Sequence, residues 1–106
     1  MLSARHRLQK SAQVSRVLKD GNKEKFGPLL IFTAPGSQSA KFAVTVSKKV
    51  AKLAVRRNYL RRLTLELIRT TLPLAELTVE VAIVLLYYPA DPVTEIALAL
   101  KQWRKW

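Results

Sequence analysis

The chain has 106 residues, which is enough for one hydrophobic core and too short for a second. Hydrophobic residues make up 49% of it and there is no cysteine, which excludes a disordered chain of low hydrophobicity, a disulfide-held fold and a thiolate metal site. Nineteen lysines and arginines against seven acidic residues give a net charge of +12, so we expect a polyanionic partner.

The positive charge is concentrated in the first two thirds of the chain. Residues 1–69 contain sixteen basic and three acidic side chains, whereas residues 70–106 contain three basic and four acidic ones. This asymmetry predicts a binding surface built by the first part and a structural closing segment built by the second. The N-terminal ten residues lack the apolar centre of a signal peptide, and no apolar run has membrane-spanning length. We therefore expect a cytoplasmic protein with no membrane partner.

The first predicted element is a short helix over residues 11–21. Ser11 is a favourable N-cap residue and Gly21 a favourable C-terminal stop. Val14, Val17 and Leu18 recur at helical spacing, so we expect them to face the core.

Strands follow this helix. Asn22–Phe26 is a candidate edge strand, and the apolar residues 29–34 form a second strand that ends at a Pro-Gly turn signal. Residues 42–47 alternate with a period of two, which directs Phe42, Val44 and Val46 inward. The turn between the last two runs predicts that they pair as an antiparallel hairpin.

Ala54–Thr71 has helical spacing and is followed by Pro73. At about 100° per residue, the pattern predicts one core side and one arginine side. The predicted core side comprises Tyr59, Leu60, Leu63 and Leu67. The opposite side comprises Arg57, Asn58, Arg61, Arg62 and Arg69, together with Leu65.

A buried strand over residues 78–88 and a last helix complete the chain. Asp91 and Pro92 are suited to begin that helix, and its predicted core positions are Ile96, Leu98, Leu100 and Trp103. We expect Trp103 and Trp106 to cap the core or lie on the surface. The element order predicts an α+β fold: one domain, residues 1–106, built as an α-β-β-β-α-β-α sandwich with one mostly antiparallel four-stranded sheet.

The stretch 48–69 contains eight cations and the single acid Glu66, which we expect to pair with Arg62 or Arg69. An ordinary solvated helix face mixes both signs, so a nearly one-signed face predicts phosphate binding. Most of the cations are arginines, whose planar fork grips phosphate in a bidentate manner. Asn58 can donate to and accept from a 2′-hydroxyl or a base edge, which favours RNA.

These residues resemble a known signature. Residues 44–50 read VTVSKKV and residues 54–69 read AVRRNYLRRLTLELIR. A strand ending in Ser-Lys-Lys, followed by a helix that opens with Arg-Asn, resembles the bacterial ribonuclease P protein component. Arg7, Leu8 and Gly21 also match, so the resemblance covers residues 7–69. Tyr59 departs from it, because the family has an Arg-Asn-Arg signature at this point.

The resemblance implies a protein without an active site of its own. In that family a catalytic RNA removes the 5′ leader of precursor tRNA with bound magnesium ions, and one protein per RNA holds the leader. The magnesium ions would be bound mainly by the RNA, and we assign none to the protein. A left-handed β-α-β crossover at the arginine helix is also implied.

Two sets of residues are implied to bind RNA. Those expected on the catalytic RNA are Lys48, Lys49, Lys52, Arg56, Arg57, Asn58, Arg61, Arg62 and Arg69. Those expected in a leader-binding cleft between the first helix and the sheet are Val14, Leu18, Leu30, Phe32 and Thr45. Val14 and Leu18 stand where many relatives have phenylalanine, which removes an aromatic platform for the leader bases.

Other interpretations remain open at the level of sequence. A ribosomal or general RNA-binding module has the same charge and a similar α+β order. An independent enzyme is disfavoured, because the single histidine, His6, lies in the basic N-terminal arm and the acids are scattered, so neither an acid–base pair nor a metal cluster has a spacing signal. His6 is better explained as a solvated residue or a phosphate contact. Phe32 is equally explained as a core residue.

Overall fold

The element order is that of an α-β-β-β-α-β-α sandwich. The structure is a computed structural model that describes residues 6–8, 11–35 and 40–103, without the side chains of residues 11–13 and 75. Within those residues the helices are α1 (Ser11–Asp20), α2 (Ala54–Thr71) and α3 (Pro92–Gln102), and the strands are β1 (Asn22–Phe26), β2 (Leu29–Pro35), β3 (Lys41–Thr45) and β4 (Val79–Leu85). The predicted α+β class and element order are confirmed, including the candidate edge strand β1.

The described strands form one sheet in the order β1-β2-β4-β3. β1 pairs with β2 and β2 pairs with β4 in antiparallel fashion, whereas β3 pairs with β4 in parallel. The predicted hairpin between β2 and β3 is therefore wrong, because β4 lies between them. β4 is apolar on both faces, which favours a central position that the local turn signal did not reveal. α2 is the crossover between β3 and β4, and the handedness of that crossover stays a prediction.

α2 and α3 cover one face of the sheet. The register places Leu29, Ile83 and Phe42 on this face, and all three are buried. Phe42 meets Trp103 edge to face, with ring centroids 6.2 Å apart. Trp103 is fully buried, so its predicted place at the core is confirmed, while Trp106 lies outside the described residues.

The predicted sides of α2 need correction. Leu65, expected on the arginine side, is buried, and Tyr59, expected in the core, is 46% exposed. The buried side is centred on Thr64, whose hydroxyl donates to the carbonyl of Leu60 at 2.7 Å. A polar residue at the centre of the core side is satisfied within its own helix. Because Thr64 is polar, the apolar residues in the sequence indicated a different centre for the buried side of α2.

The last helix begins as predicted. The Asp91 side chain accepts a hydrogen bond from the backbone N–H of Thr94, and Pro92 occupies the first turn. Ile96 and Leu100 are buried against the sheet, but Leu98 is 54% exposed and is not the core residue that was expected. Leu98 is two residues from both Ile96 and Leu100, which is about 200° around the helix, so it cannot face the same side as they do.

α1 packs on the opposite face of the sheet. Leu8, Val17, Ala34 and Ala82 form a second buried cluster there, with Val14 and Phe32 half-buried against it. Leu18 is 37% exposed, so its predicted core position is wrong. A ten-residue helix is about 15 Å long, so α1 covers only part of the sheet face.

Gly21 joins α1 to β1 where there is no room for a side chain. A Cβ at this position would lie 2.5 Å from the carbonyl oxygen of Val17 and 3.0 Å from that of Thr33. Both neighbours are backbone atoms, and the Gly21 N–H donates to the same Val17 oxygen at 2.8 Å. The junction between α1 and the sheet therefore depends on this glycine.

We predict that Gly21→Ala lowers the free energy of unfolding by about 1–3 kcal/mol, the usual cost of forcing an extra methyl group into a closely packed site. Urea denaturation followed by circular dichroism measures this loss. Ser15→Ala, at an exposed position of α1, is the matched control and should leave the stability within about 0.5 kcal/mol. Equal stability of the Gly21 variant and the wild type would contradict the close approach.

Candidate nucleic-acid interface

A basic loop, residues 46–53, connects β3 to α2. Its backbone is folded on itself, because the N–H groups of Val50 and Ala51 both donate to the carbonyl of Ser47. Val46 and Ala51 are buried and anchor the loop to the core. Between these anchors Lys48 and Lys49 are exposed and Val50 packs against the core, and Lys52, which follows Ala51, is also exposed. The loop thus presents a fixed group of lysines.

The first turn of α2 adds to the positive field of the basic loop. Among the side chains that the structure describes, none caps this end of the helix, and the first turn has no acid, so the positive end of the helix dipole is not neutralised locally. Arg56 is exposed and lines a surface groove of about 480 Å³ together with Lys52 and Tyr88. The helix dipole and the nearby cations both favour an anion at this end of the helix.

Arg57 has a different position from its neighbours. It is half-buried, and its Nη1 donates to the carbonyls of Ala51 and Lys52 at 2.9 and 2.8 Å. Arg61 is also half-buried, and its Nη1 donates to Oδ1 of Asn58 at 2.7 Å. These two arginines hold the loop and the helix surface in place, whatever further contact they make.

The exposed side of α2 carries Asn58, Arg62 and Arg69. Among the described residues, neither a hydrogen bond nor an ion pair involves the side chain of Arg62. Tyr59 and Val55 lie beside it, and a surface groove of about 430 Å³ runs along these residues. This exposed side therefore combines the guanidinium of Arg62 with the aromatic ring of Tyr59. The sequence pattern had placed Leu65 on this side instead.

Glu66 is paired with Arg69, as the sequence predicted. The Arg69 Nε donates to a Glu66 carboxylate oxygen at 3.0 Å. This hydrogen bond is the main reason why the pKa of Glu66 is lowered to about 2, so the carboxylate is ionised at neutral pH. Arg69 is thus partly neutralised by Glu66, whereas among the described residues no acid pairs with Arg62. We expect Arg62 to be the stronger phosphate ligand of the two.

α1 covers only part of this face of the sheet, and we name the uncovered part beside α1 the cleft. Paired residues of neighbouring strands share a face, so Leu30, Val84 and Thr45 lie in one row across β2, β4 and β3. Leu30 and Val84 are half-buried and Thr45 is exposed. Phe32 belongs to the next row and packs partly under α1 with Val14.

The structure brings four of the five predicted cleft residues, Val14, Leu30, Phe32 and Thr45, to one face of the sheet, while Leu18 is an exposed residue of α1. The sequence left two roles open for Phe32, as a core residue or as a cleft residue. The structure fits both, because Phe32 packs against the cluster under α1 and is only half-buried. Val84 was missed as a floor residue, because residues 81–85 of β4 are all apolar and their alternation is hidden. Lys23 and Lys25 were missed as well, because the alternation of β1 puts them on one side of the strand without showing which face of the sheet that is.

Other kinds of site find little support in the described residues. No group of three or more histidine or acidic side chains within them is arranged to hold a metal ion. His6 is half-buried, and its Nδ1 donates to the carbonyl of Ala40 at 2.8 Å, which ties the N-terminal arm to the start of β3. None of the described helices is both long enough and apolar enough to cross a membrane.

Comparison with known proteins agrees with this arrangement. The RNase P protein of Staphylococcus aureus has the same fold, with a TM-score of 0.75 at 21% sequence identity over 92% of this chain and 90% of that one. The RNase P protein of Thermotoga maritima, in complex with 1-(4-fluorophenyl)-2-thiourea, gives a TM-score of 0.73 at 17% identity over 94% and 99% of the two chains. A search of curated proteins found no significant match.

These structural similarities show the fold, and the family follows from the sequence. The family model described as ribonuclease P matches residues 2–97, which is most of the chain and includes the basic loop, α2 and the cleft. The chain therefore belongs to the ribonuclease P protein family, whose members are subunits of an endoribonuclease.

Proposed function

We propose that this chain binds the catalytic RNA of ribonuclease P and the 5′ leader of precursor tRNA, and so promotes leader removal in the cytoplasm. One observation carries the proposal: β3 links the two candidate surfaces directly. Thr45 lies on the floor of the cleft, and Lys48 in the basic loop follows three residues later. A leader in the cleft and a catalytic RNA on the basic loop would then be adjacent.

The catalytic RNA would dock on the basic loop and the exposed side of α2. The lysines of the loop, with Arg56 and Arg62, offer cations that are exposed to solvent. Each cation that neutralises a phosphate releases a counterion, so the affinity should fall steeply with salt. Arg57 and Arg61 would contribute mainly by fixing the geometry of this surface.

The leader would lie as a single strand in the cleft. Proteins that hold single strands combine cations along the backbone with surfaces on which bases stack, and each stacked base is worth about 1–3 kcal/mol. Here the floor is largely aliphatic, and Val14 and Leu18 offer no ring. Phe32 is the aromatic residue of this floor, and it is half-buried. The grip on the leader would therefore depend more on charge than on stacking.

The chemical step would belong to the RNA. We propose that the magnesium ions of the reaction are bound mainly by the catalytic RNA, since the acids of α2 and β4 are already occupied by arginines. Glu80 is paired with Arg16 and Glu66 with Arg69. The protein would supply orientation and charge neutralisation, which lowers the concentration of magnesium that the RNA needs.

Arg62 and Arg57 allow docking to be separated from folding. We predict that Arg62→Ala weakens binding of the catalytic RNA and reduces the slope of log K against log[salt] by about 0.7–0.9, one phosphate contact, with an unchanged melting temperature. Arg57→Ala should also lower the melting temperature, because it removes both hydrogen bonds to the basic loop. Filter binding over a salt series, together with thermal denaturation, measures both effects.

The control for the arginine variants is Lys101→Ala, on the exposed side of α3. It removes one charge away from the proposed surface and should leave the salt slope unchanged. If Arg62→Ala and Lys101→Ala give the same slope as the wild type, the exposed side of α2 is not at the RNA.

Reconstitution tests the function as a whole. We expect the protein to increase the rate at which a bacterial ribonuclease P RNA removes the leader from precursor tRNA, most strongly at low magnesium. The double variant Arg56→Gln, Arg62→Gln should stimulate less at equal concentration. A ribosomal or general RNA-binding module would bind the RNA without stimulating cleavage, and that result would overturn the proposal.

A further inference from the structure

The edge strand β1 places two lysines beside the cleft. Its sequence NKEKF alternates charges, and the pleat of the strand separates them. Lys23 is paired with Phe32 and Lys25 with Leu30, so both lysines lie on the cleft face. Glu24 is paired with Ile31 and lies on the opposite face. A segment with mixed charges thus presents only cations to the cleft.

Both lysines are exposed, and they extend the rows that form the cleft floor. The row from Lys25 through Leu30 and Val84 to Thr45 spans three strand spacings, about 14 Å. Lys23 and Lys25 are two residues apart along the strand, about 6.7 Å, which is similar to the distance between successive phosphates of an extended single strand. Cations that follow the backbone beside a surface for the bases are the arrangement found in proteins that bind single-stranded nucleic acids.

We infer that Lys23 and Lys25 form a phosphate track that holds the backbone of the 5′ leader along the outer edge of the sheet. This inference rests on the proposed function and identifies a part of the cleft that the sequence did not. The floor, with Leu30 and Val84, accepts the bases, while the ammonium groups of β1 bind the phosphates. The track compensates for the aliphatic residues Val14 and Leu18, which cannot stack on bases.

The experiment measures binding of two ligands to the holoenzyme assembled from the catalytic RNA and the protein. The ligands are precursor tRNA with a leader and mature tRNA without one, and the variants are Lys23→Gln and Lys25→Gln. Each variant should weaken precursor binding about fivefold at 0.1 M salt and reduce the salt slope by about 0.7, the value for one contact with a single strand. Mature tRNA should bind to every variant as it does to the wild type.

Three controls make the result specific. Lys101→Gln removes an equal charge on α3 and should have no effect, whereas Lys23→Arg and Lys25→Arg should retain wild-type binding of precursor tRNA. A leader with uncharged methylphosphonate linkages should bind to the Gln variants and to the wild type with the same affinity, because the phosphate charge that the lysines recognise is already absent.

The possible outcomes separate this inference from the proposed function. If the wild type stimulates cleavage but both Gln variants bind precursor tRNA normally, the phosphate track is wrong and the proposed function stands. An equal loss for mature tRNA would place the lysines at the tRNA body and would also overturn the track. If the wild type itself gives no stimulation, the proposed function fails first.

Discussion

Residues 80–83 of β4 are buried on both faces, with Val81 and Ile83 toward α2 and α3 and Ala82 toward α1. This part of β4 needs a strand on each side and a helix layer above and below. β2 and β3 fill the two neighbouring positions, and the parallel pairing of β3 with β4 requires a crossover. That crossover is α2, which carries the basic face. On the other side α1 is too short to cover the sheet, and the uncovered part is the cleft. Both candidate surfaces thus result from the central position of one strand.

Two acids within this framework, Glu80 and Glu66, are paired with arginines. Glu80, on the α1 side of β4, is almost fully buried and pairs with Arg16 of α1. A buried carboxylate is tolerated when it is paired, and removing its partner is strongly destabilising. Glu66 pairs with Arg69 on α2. The pairs leave the lysines of the basic loop and of β1 to face solvent. The electrostatic field is then positive at the cleft and at the basic loop, the two surfaces that β3 connects.

Local patterns in the sequence were sufficient for much of this architecture. The Asp91-Pro92 start of α3, the bounds of α2 and the inward positions of Phe42 and Val44 follow from capping and periodicity. The strands that pair with β4 could not be predicted from these local patterns, because the order of strands in a sheet depends on how completely each strand's two faces are buried. Tyr59 and Leu65 were assigned to the wrong sides of α2 because Thr64 satisfies its hydroxyl within the helix. For the site, the cations were evident from composition, but the side of β1 on which Lys23 and Lys25 lie required the register.

The central claim is that two surfaces contact two different RNAs, and directed cleavage tests it most directly. The chain has no cysteine, so a single cysteine introduced at Thr45 or at Arg62 can carry an iron–EDTA probe that cuts nearby RNA. In the holoenzyme with precursor tRNA, the account predicts that the probe at position 45 cuts the 5′ leader and that the probe at position 62 cuts the catalytic RNA. Cuts in the leader from position 62, with none from position 45, would contradict it.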